Sequence, residues 1–416
     1  MVTLPNLAST RKKVPEAPQR GLHRDDDAPS AAANAFVAAF EPIVVDEPLY
    51  FNFDSSISRK HMLRFWTWVS RDVVPGIEMK FDGLVDSGNT ADAATELCLP
   101  DILAGVKRTL AESANDYESD RRITVQMGGQ EVRDRLDTIL LALRSRALIE
   151  RARGFGKAAI NLTDDAALGT ALQSLPLKDP ALASLLMHVI VGQTASPNRL
   201  ITAATAVSGK ATEESVRGAG FGPLGDAVLA HAQNQLALLG PALVGIGDID
   251  GACRILDRYH RLLRAMNGYL ELVRNSRWSM IIAELTKQAS HRLEPRLREI
   301  SGDIARSMRR PRDSIDRVDA DGLLAALNGM YLLAGVREAR ESLALNALFE
   351  QVWNETGQSI EILVKRNLED FRTNATSEAV AKRLDTGIKM SEIRFSTEYA
   401  DVMRRARDMF SKRAAG

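Results

Sequence analysis

The sequence predicts a mostly α-helical protein: an irregular multi-helix bundle, or stacked helical hairpins, with a short mixed or extended N-terminal segment. Three observations carry this. From about Gln130 onward, apolar residues recur at helical spacing, and Pro, Gly, Asp and Ser stand where helices start and stop. Strand-like alternation is nowhere convincing there. Nine of the 22 aromatic residues lie between Phe36 and Phe81, so the N-terminal part is built differently from the Ala-, Leu- and Arg-rich body.

Residues 1–34 combine Pro, charge and small side chains and bury too little apolar surface to offset ordering entropy, so a disordered tail is expected. Residues 42–53 mix β-branched and aromatic residues between prolines and read as an edge strand or an extended arm. From Ser56 to Val73 the pattern is helical, with Met62, Phe65, Trp66, Val69 and Val73 on one stripe and Arg59, Lys60, Arg64 and Arg71 off it. A weaker helix is expected around Leu103–Ser113. Val132, Leu136, Ile139, Leu140, Leu143 and Ala147 mark the next stripe. Asp179-Pro180 and Ser196-Pro197 read as N-cap plus first helical residue, and Gly209 as a helix stop. Further helices are expected from about Pro223 to Leu239, from Asp248 or Asp250 to Arg274, and from Ser276 to Arg310 with a break at Pro295. Four more follow near 320–338, 341–372, 377–393 and 397–413. Helix starts are unevenly spaced, which argues against a regular repeat array. The expected units are a tail (1–34), an aromatic-rich mixed segment (35–125), a helical domain (126–240) and a second helical domain (241–416) continuous with it.

Composition narrows the function classes. The 54 basic and 54 acidic residues cancel, so no nucleic acid is expected as a partner. Arg outnumbers Lys by 41 to 13, which together with abundant Ala points to a GC-rich, bacterial source. Two widely separated cysteines, Cys98 and Cys253, fit a reducing cytoplasm rather than a disulfide framework. The polar first residues lack the apolar core of a secretory signal.

No catalytic motif survives inspection. Gly220-Phe-Gly222-Pro-Leu-Gly225 matches a dinucleotide fingerprint in form, but helix-like sequence precedes it where a strand is needed. Gly154–Lys157 and Ser208–Lys210 lack the remaining glycine and the hydroxyl of a phosphate loop. The six histidines have no metal spacing, and Asp164-Asp165 reads as a helix start. Neither cofactor nor metal is expected. The mixed-sign run Arg292–Arg317 reads as a solvated helix, with Arg309 and Arg310 as docking candidates.

The expected function is therefore binding: a cytoplasmic scaffold, adaptor or regulatory protein acting through protein–protein contacts, rather than an enzyme. The Ser56–Val73 helix reads either as a core helix packing its aromatic stripe against the body or as a docking helix; on the docking reading the candidate partner-binding residues are Arg64, Phe65, Trp66 and Trp68, with Arg309 and Arg310, since Trp and Arg are favoured at interface hot spots. Two alternatives stand beside this. One is an all-α enzyme or ligand-responsive regulator with a pocket between helices. The other is a peripheral membrane protein using the Ser56–Val73 helix at the inner face of the membrane. Association of identical chains is compatible with each.

Overall fold

The structure, a computed structural model, describes residues 28–114, 116–162, 164–244, 248–310 and 318–415. It is a mostly α multi-helix fold, and the only sheet among the described residues has two short strands. Helix α1 (Ala31–Ala38) is capped by Ser30, whose side chain accepts from the Ala33 N–H. Ala32, Ala33, Phe36 and Val37 are buried, so order begins inside the stretch expected to be a tail. Small Ala side chains let this helix seat closely on its neighbours. Residues 1–27 lie outside the described residues. A 3-10 turn at Glu41–Ile43 leads to β1 (Val44–Val45), which pairs in parallel with β2 (Ile57–Ser58). The chain between them is an arm.

Helix α2 (Arg59–Trp68) is capped by Ser58, which accepts from the His61 N–H, and continues into a wide turn at Val69–Val73. Then come α3 (Ile77–Asp86), α4 (Ala91–Ser113) and α5 (Tyr117–Gln126). The weak helix expected at Leu103–Ser113 is the second half of α4, which runs through Pro100.

The stripe from Val132 to Leu143 is the buried face of α6 (Gln130–Arg144). In α7 (Arg146–Ala158), Arg146 is buried and fully engaged. It donates to the Ala39 carbonyl at 3.0 Å, pairs with Asp92 at 2.6 Å and Glu96 at 2.5 Å, and lies over the Phe40 ring. One guanidinium thus fastens α1 and α4 onto α7.

Asp164 caps α8 (Asp165–Gln173), and Asp179 with Pro180 starts α9 (Pro180–Gln193) as the cap chemistry requires. Every residue of α9 from Ala183 to Val191 is buried. A helix apolar on all sides needs cover on all sides, and α9 is the central helix of this half. Helix α10 (Pro197–Ser208) ends at Gly209, whose φ of +75° suits glycine. The glycine run 218–225 spans the turn Arg217–Phe221 between α11 (Glu213–Val216) and α12 (Gly222–Ala242) and the first turn of α12, with Gly220 at φ +89°. Gly225 allows a close approach: a Cβ there would sit 2.3 Å from the Trp278 ring.

Asp248 caps α13 (Ile249–Asn267), which stops at Gly268, short of Arg274. Helix α14 (Arg277–Ser307) is continuous through Pro295, against the expected break. The remaining helices are α15 (Ala320–Ala339), α16 (Asn346–Thr373), α17 (Glu378–Arg394) and α18 (Thr397–Ala415). Neighbours in sequence are neighbours in space: α12 packs on α13, α14 on α15, α16 on α17 and α17 on α18. One cluster of buried apolar residues includes side chains from Ala32 to Ala400.

The arm is bound to this body by side-chain amides. Gln233 Oε1 on α12 accepts from the Tyr50 N–H at 3.0 Å and the Phe51 N–H at 2.7 Å, and its Nε2 donates to the Phe51 carbonyl at 2.9 Å. Asn234 Oδ1 accepts from the Asp46 N–H at 2.8 Å. Arg292 and Arg277 of α14 lie over the Tyr50 and Phe53 rings.

Candidate functional site

The aromatic helix is core, and the structure corrects its reading as a docking surface. Phe65, Trp66 and Trp68 are 0%, 1% and 0% exposed. Trp66 packs between Phe36 at 4.5 Å and Phe81 at 5.6 Å, and Trp68 against Phe65 at 6.2 Å. Trp68 lies off the apolar stripe because α2 is covered on several sides, by α1, α6 and the strand pair. Its wide aromatic arc is an adaptation to burial. The basic side is committed as well. Arg59 bonds Glu41 and Asp46, Arg64 donates to the Gly128 carbonyl at 3.0 Å, and Arg71 pairs with Asp72 and reaches the Gln126 carbonyl. Arg309 and Arg310 are exposed at the far end of α14. A helix of 31 residues is about 46 Å long, and its start lies beside Phe53. The two sets of candidates therefore do not form one surface.

A different cluster meets the description of a binding site. Trp353 on α16 is only half-buried, whereas Trp66, Trp68 and Trp278 are fully buried. Arg394, the last residue of α17, holds its guanidinium 4.4 Å from the indole centroid, and Arg337 of α15 holds a second at 5.1 Å. Phe349, one turn earlier on α16, stacks on the same indole at 5.6 Å. Arg394 also lies 5.1 Å from the Phe395 ring and donates from Nε to the Trp353 carbonyl at 2.9 Å.

Gly357, one turn after Trp353, makes this seat. A Cβ there would fall 2.7 Å from the Arg394 guanidinium, so the cation rests on bare helix backbone. The electrostatics are lopsided. Burial, and then the charge of Arg337, hold the Arg394 pKa below the ordinary arginine value. Arg337 has the adjacent, exposed Glu338 at 3.2 Å, while Arg394 has no carboxylate partner among the described residues. Two like charges share one aromatic platform with little to neutralise them. This arrangement suits an incoming anion, since arginine offers planar paired donors to carboxylate or phosphate. The three residues come from three helices and are 16 and 41 positions apart, which is why the pattern along one helix missed them. The available signal was Trp353 itself: a tryptophan in an aromatic-poor region, with glycine four residues later.

Two of the scattered histidines also meet. His188 of α9 and His231 of α12 stack with ring centroids 3.9 Å apart, and His231 Nε2 lies 2.7 Å from the His188 carbonyl. His188 Nδ1 is buried and has no hydrogen-bond partner among the described residues. Arg258 of α13 donates to the Val191 and Thr194 carbonyls at 2.6 and 2.7 Å, closing the C-terminal end of α9. Burial, and then Arg261, bring the Arg258 pKa down to about 10. This packed cluster holds α9, α12 and α13 together and presents no open reaction centre.

Among the described residues, no three His, Cys, Asp or Glu side chains gather to hold a metal ion, and no helix is long and apolar enough to cross a membrane. No protein-family model, curated protein or solved structure matches the chain.

Proposed function

We propose that the protein is a cytoplasmic helical scaffold or adaptor that binds an acidic segment of a protein partner, with Trp353, Arg337 and Arg394 as its principal contacts. The observation that carries this reading is the Arg394 guanidinium, seated on Gly357 and over Trp353 with no carboxylate beside it among the described residues. An acidic segment supplies the missing charge, and its apolar side chains can cover the exposed part of Trp353 and Phe395. Burial of a charged pair together with an aromatic anchor is the usual composition of an interface hot spot. The free thiols Cys98 and Cys253 fit a reducing compartment. Because α2 is buried, the membrane-surface alternative loses the element on which it rested.

Trp353 makes the test direct. Three of the four tryptophans are fully buried, so collisional quenching of tryptophan fluorescence reports mainly on Trp353. A synthetic peptide rich in Asp, Glu and Leu should protect it from acrylamide in the full chain. Protection should weaken with added salt and disappear in the double variant Arg337→Gln, Arg394→Gln. Gly357→Ala, which displaces the Arg394 guanidinium without changing charge, should weaken it as well. Absence of protection, or equal protection in the double variant, would overturn the proposal.

A further inference from the structure

The last of the described helices presents a face that the rest of the fold does not cover. Of residues 397–413 in α18, only Ala400 is buried. One side of the helix is attached. Met403 and Phe410 pack half-buried against the core, Arg404 bonds Glu392, and Arg407 pairs with Asp385 at 3.0 Å. The adjoining side is apolar and open: Phe395, Val402 and Met409 are 38%, 53% and 45% exposed. Seven residues separate each of these from the next. A step of seven falls only about 20° short of two full helical turns. Val402 and Met409 therefore share one stripe, and Phe395 stands at the turn before α18 where that stripe begins. Glu398 and Arg405, also seven apart, run along one side of the stripe, about 40° from it. Both are exposed, and neither makes an ion pair among the described residues. Arg405 donates to the Asp401 carbonyl of its own helix.

We propose that two copies of this chain pair through α18, antiparallel, about a two-fold axis at Val402. The spacing selects a second copy as the occupant, because a two-fold interface must be complementary to itself. With Val402 on the axis, the residue seven before it meets the residue seven after it. Phe395 then packs on the partner's Met409 at both ends of the contact. Glu398 lies four residues before the axis and Arg405 three after it, on the same side of the stripe. The rotation brings each Arg405 beside the partner's Glu398, within about 1.5 Å along the helix, one residue rise. Parallel pairing would set each of these charges against its own copy. One helix per copy makes a small interface, so the dimer exchanges with monomer in the micromolar range. The contact uses neither Arg337 nor Arg394 and does not rest on the Trp353 reading, although Phe395 borders both surfaces.

The test is sedimentation equilibrium of the full-length protein across the micromolar range, where the wild type should associate to a dimer. Val402→Asp puts two carboxylates on the axis and should weaken association about tenfold or more. Charge reversal then reads the register. Glu398→Arg alone and Arg405→Glu alone should each weaken association, because each sets like charges side by side. Mixed in equal amounts, the two variants should form a heterodimer about as tight as the wild-type dimer, since each supplies the charge the other lacks. All three positions are exposed, and melting temperatures close to wild type check that the fold is intact. A wild type that stays monomeric would overturn the proposal. Unchanged association of Val402→Asp would overturn its place on α18, and variants that fail to pair on mixing would overturn the antiparallel register. Should Val402→Asp fail to fold, the mixing experiment still decides.

Discussion

Acid should loosen the α9–α12 interface through His188 and His231, and the size of the effect follows from their surroundings. An imidazole in the unfolded chain titrates near pH 6.5. In the folded protein, burial holds the pKa of His231 down to about 4, opposed by its bond to the His188 carbonyl and reinforced by the charge of Arg258. His188 is held well below its ordinary value, first by burial and then by His231. The unfolded state therefore takes up protons that the folded state refuses. The stability held by the neutral pair is complete above about pH 6.5 and is lost as pH falls toward 4. For His231 alone the loss is about 2 kcal/mol at pH 5 and approaches about 3 kcal/mol at lower pH. Part of the His231 side chain still reaches the surface, which makes these upper limits. Urea unfolding at pH 7.5, 6 and 5 measures the effect. The charged groups nearest the pair are on α13, so the control is His231→Phe, which keeps a ring against His188 and removes one titration. The wild-type protein should lose stability on acidification and the variant should lose less. Equal unfolding midpoints at pH 7.5 and 5, or parallel losses in both proteins, would refute the reasoning.

Three further outcomes are expected. Trp66→Ala and Trp68→Ala should each cost about 3–5 kcal/mol, because both rings are buried core; an unchanged melting temperature would restore the docking role of α2. Gly225→Ala should destabilise by about 1–3 kcal/mol, since its Cβ would fall 2.3–2.8 Å from Trp278 ring atoms, and near-ultraviolet dichroism of tryptophan should change with it. Gln233→Ala should release the arm at a cost of about 1–3 kcal/mol, seen as faster amide exchange at Tyr50 and Phe51 while α9 stays protected.

What could be read from the sequence was what local chemistry decides. Asp179-Pro180 starts α9, Asp164 starts α8 and Gly209 ends α10 because a cap needs only its own few residues. The stripe from Val132 to Leu143 was legible for the same reason, since α6 is covered on one face. Errors arose where neighbours decide. Pro295 looked like a break, yet α15 and α16 pack along α14 and the helix continues. Trp68 sits off the apolar stripe, so the pattern left α2 open between core and docking, and a single helix pattern cannot report that α2 is covered from several directions. The Trp353 site was invisible for the same reason: Arg337, Trp353 and Arg394 meet only through the packing of three helices.

The Gln233 clamp has a consequence for synthesis. The arm and the amide that binds it are 182 and 183 residues apart. At a translation rate of about 5–20 residues per second, the arm waits roughly 10–40 seconds for its partner to emerge. During that interval Tyr50, Phe51 and Phe53 have left the ribosome without the surface of α12 and α14 that later covers them. The arm is thus completed only after a segment made much later. Nascent chains stalled before residue 233 should recruit chaperones to the arm, and chains stalled well beyond α14 should release them.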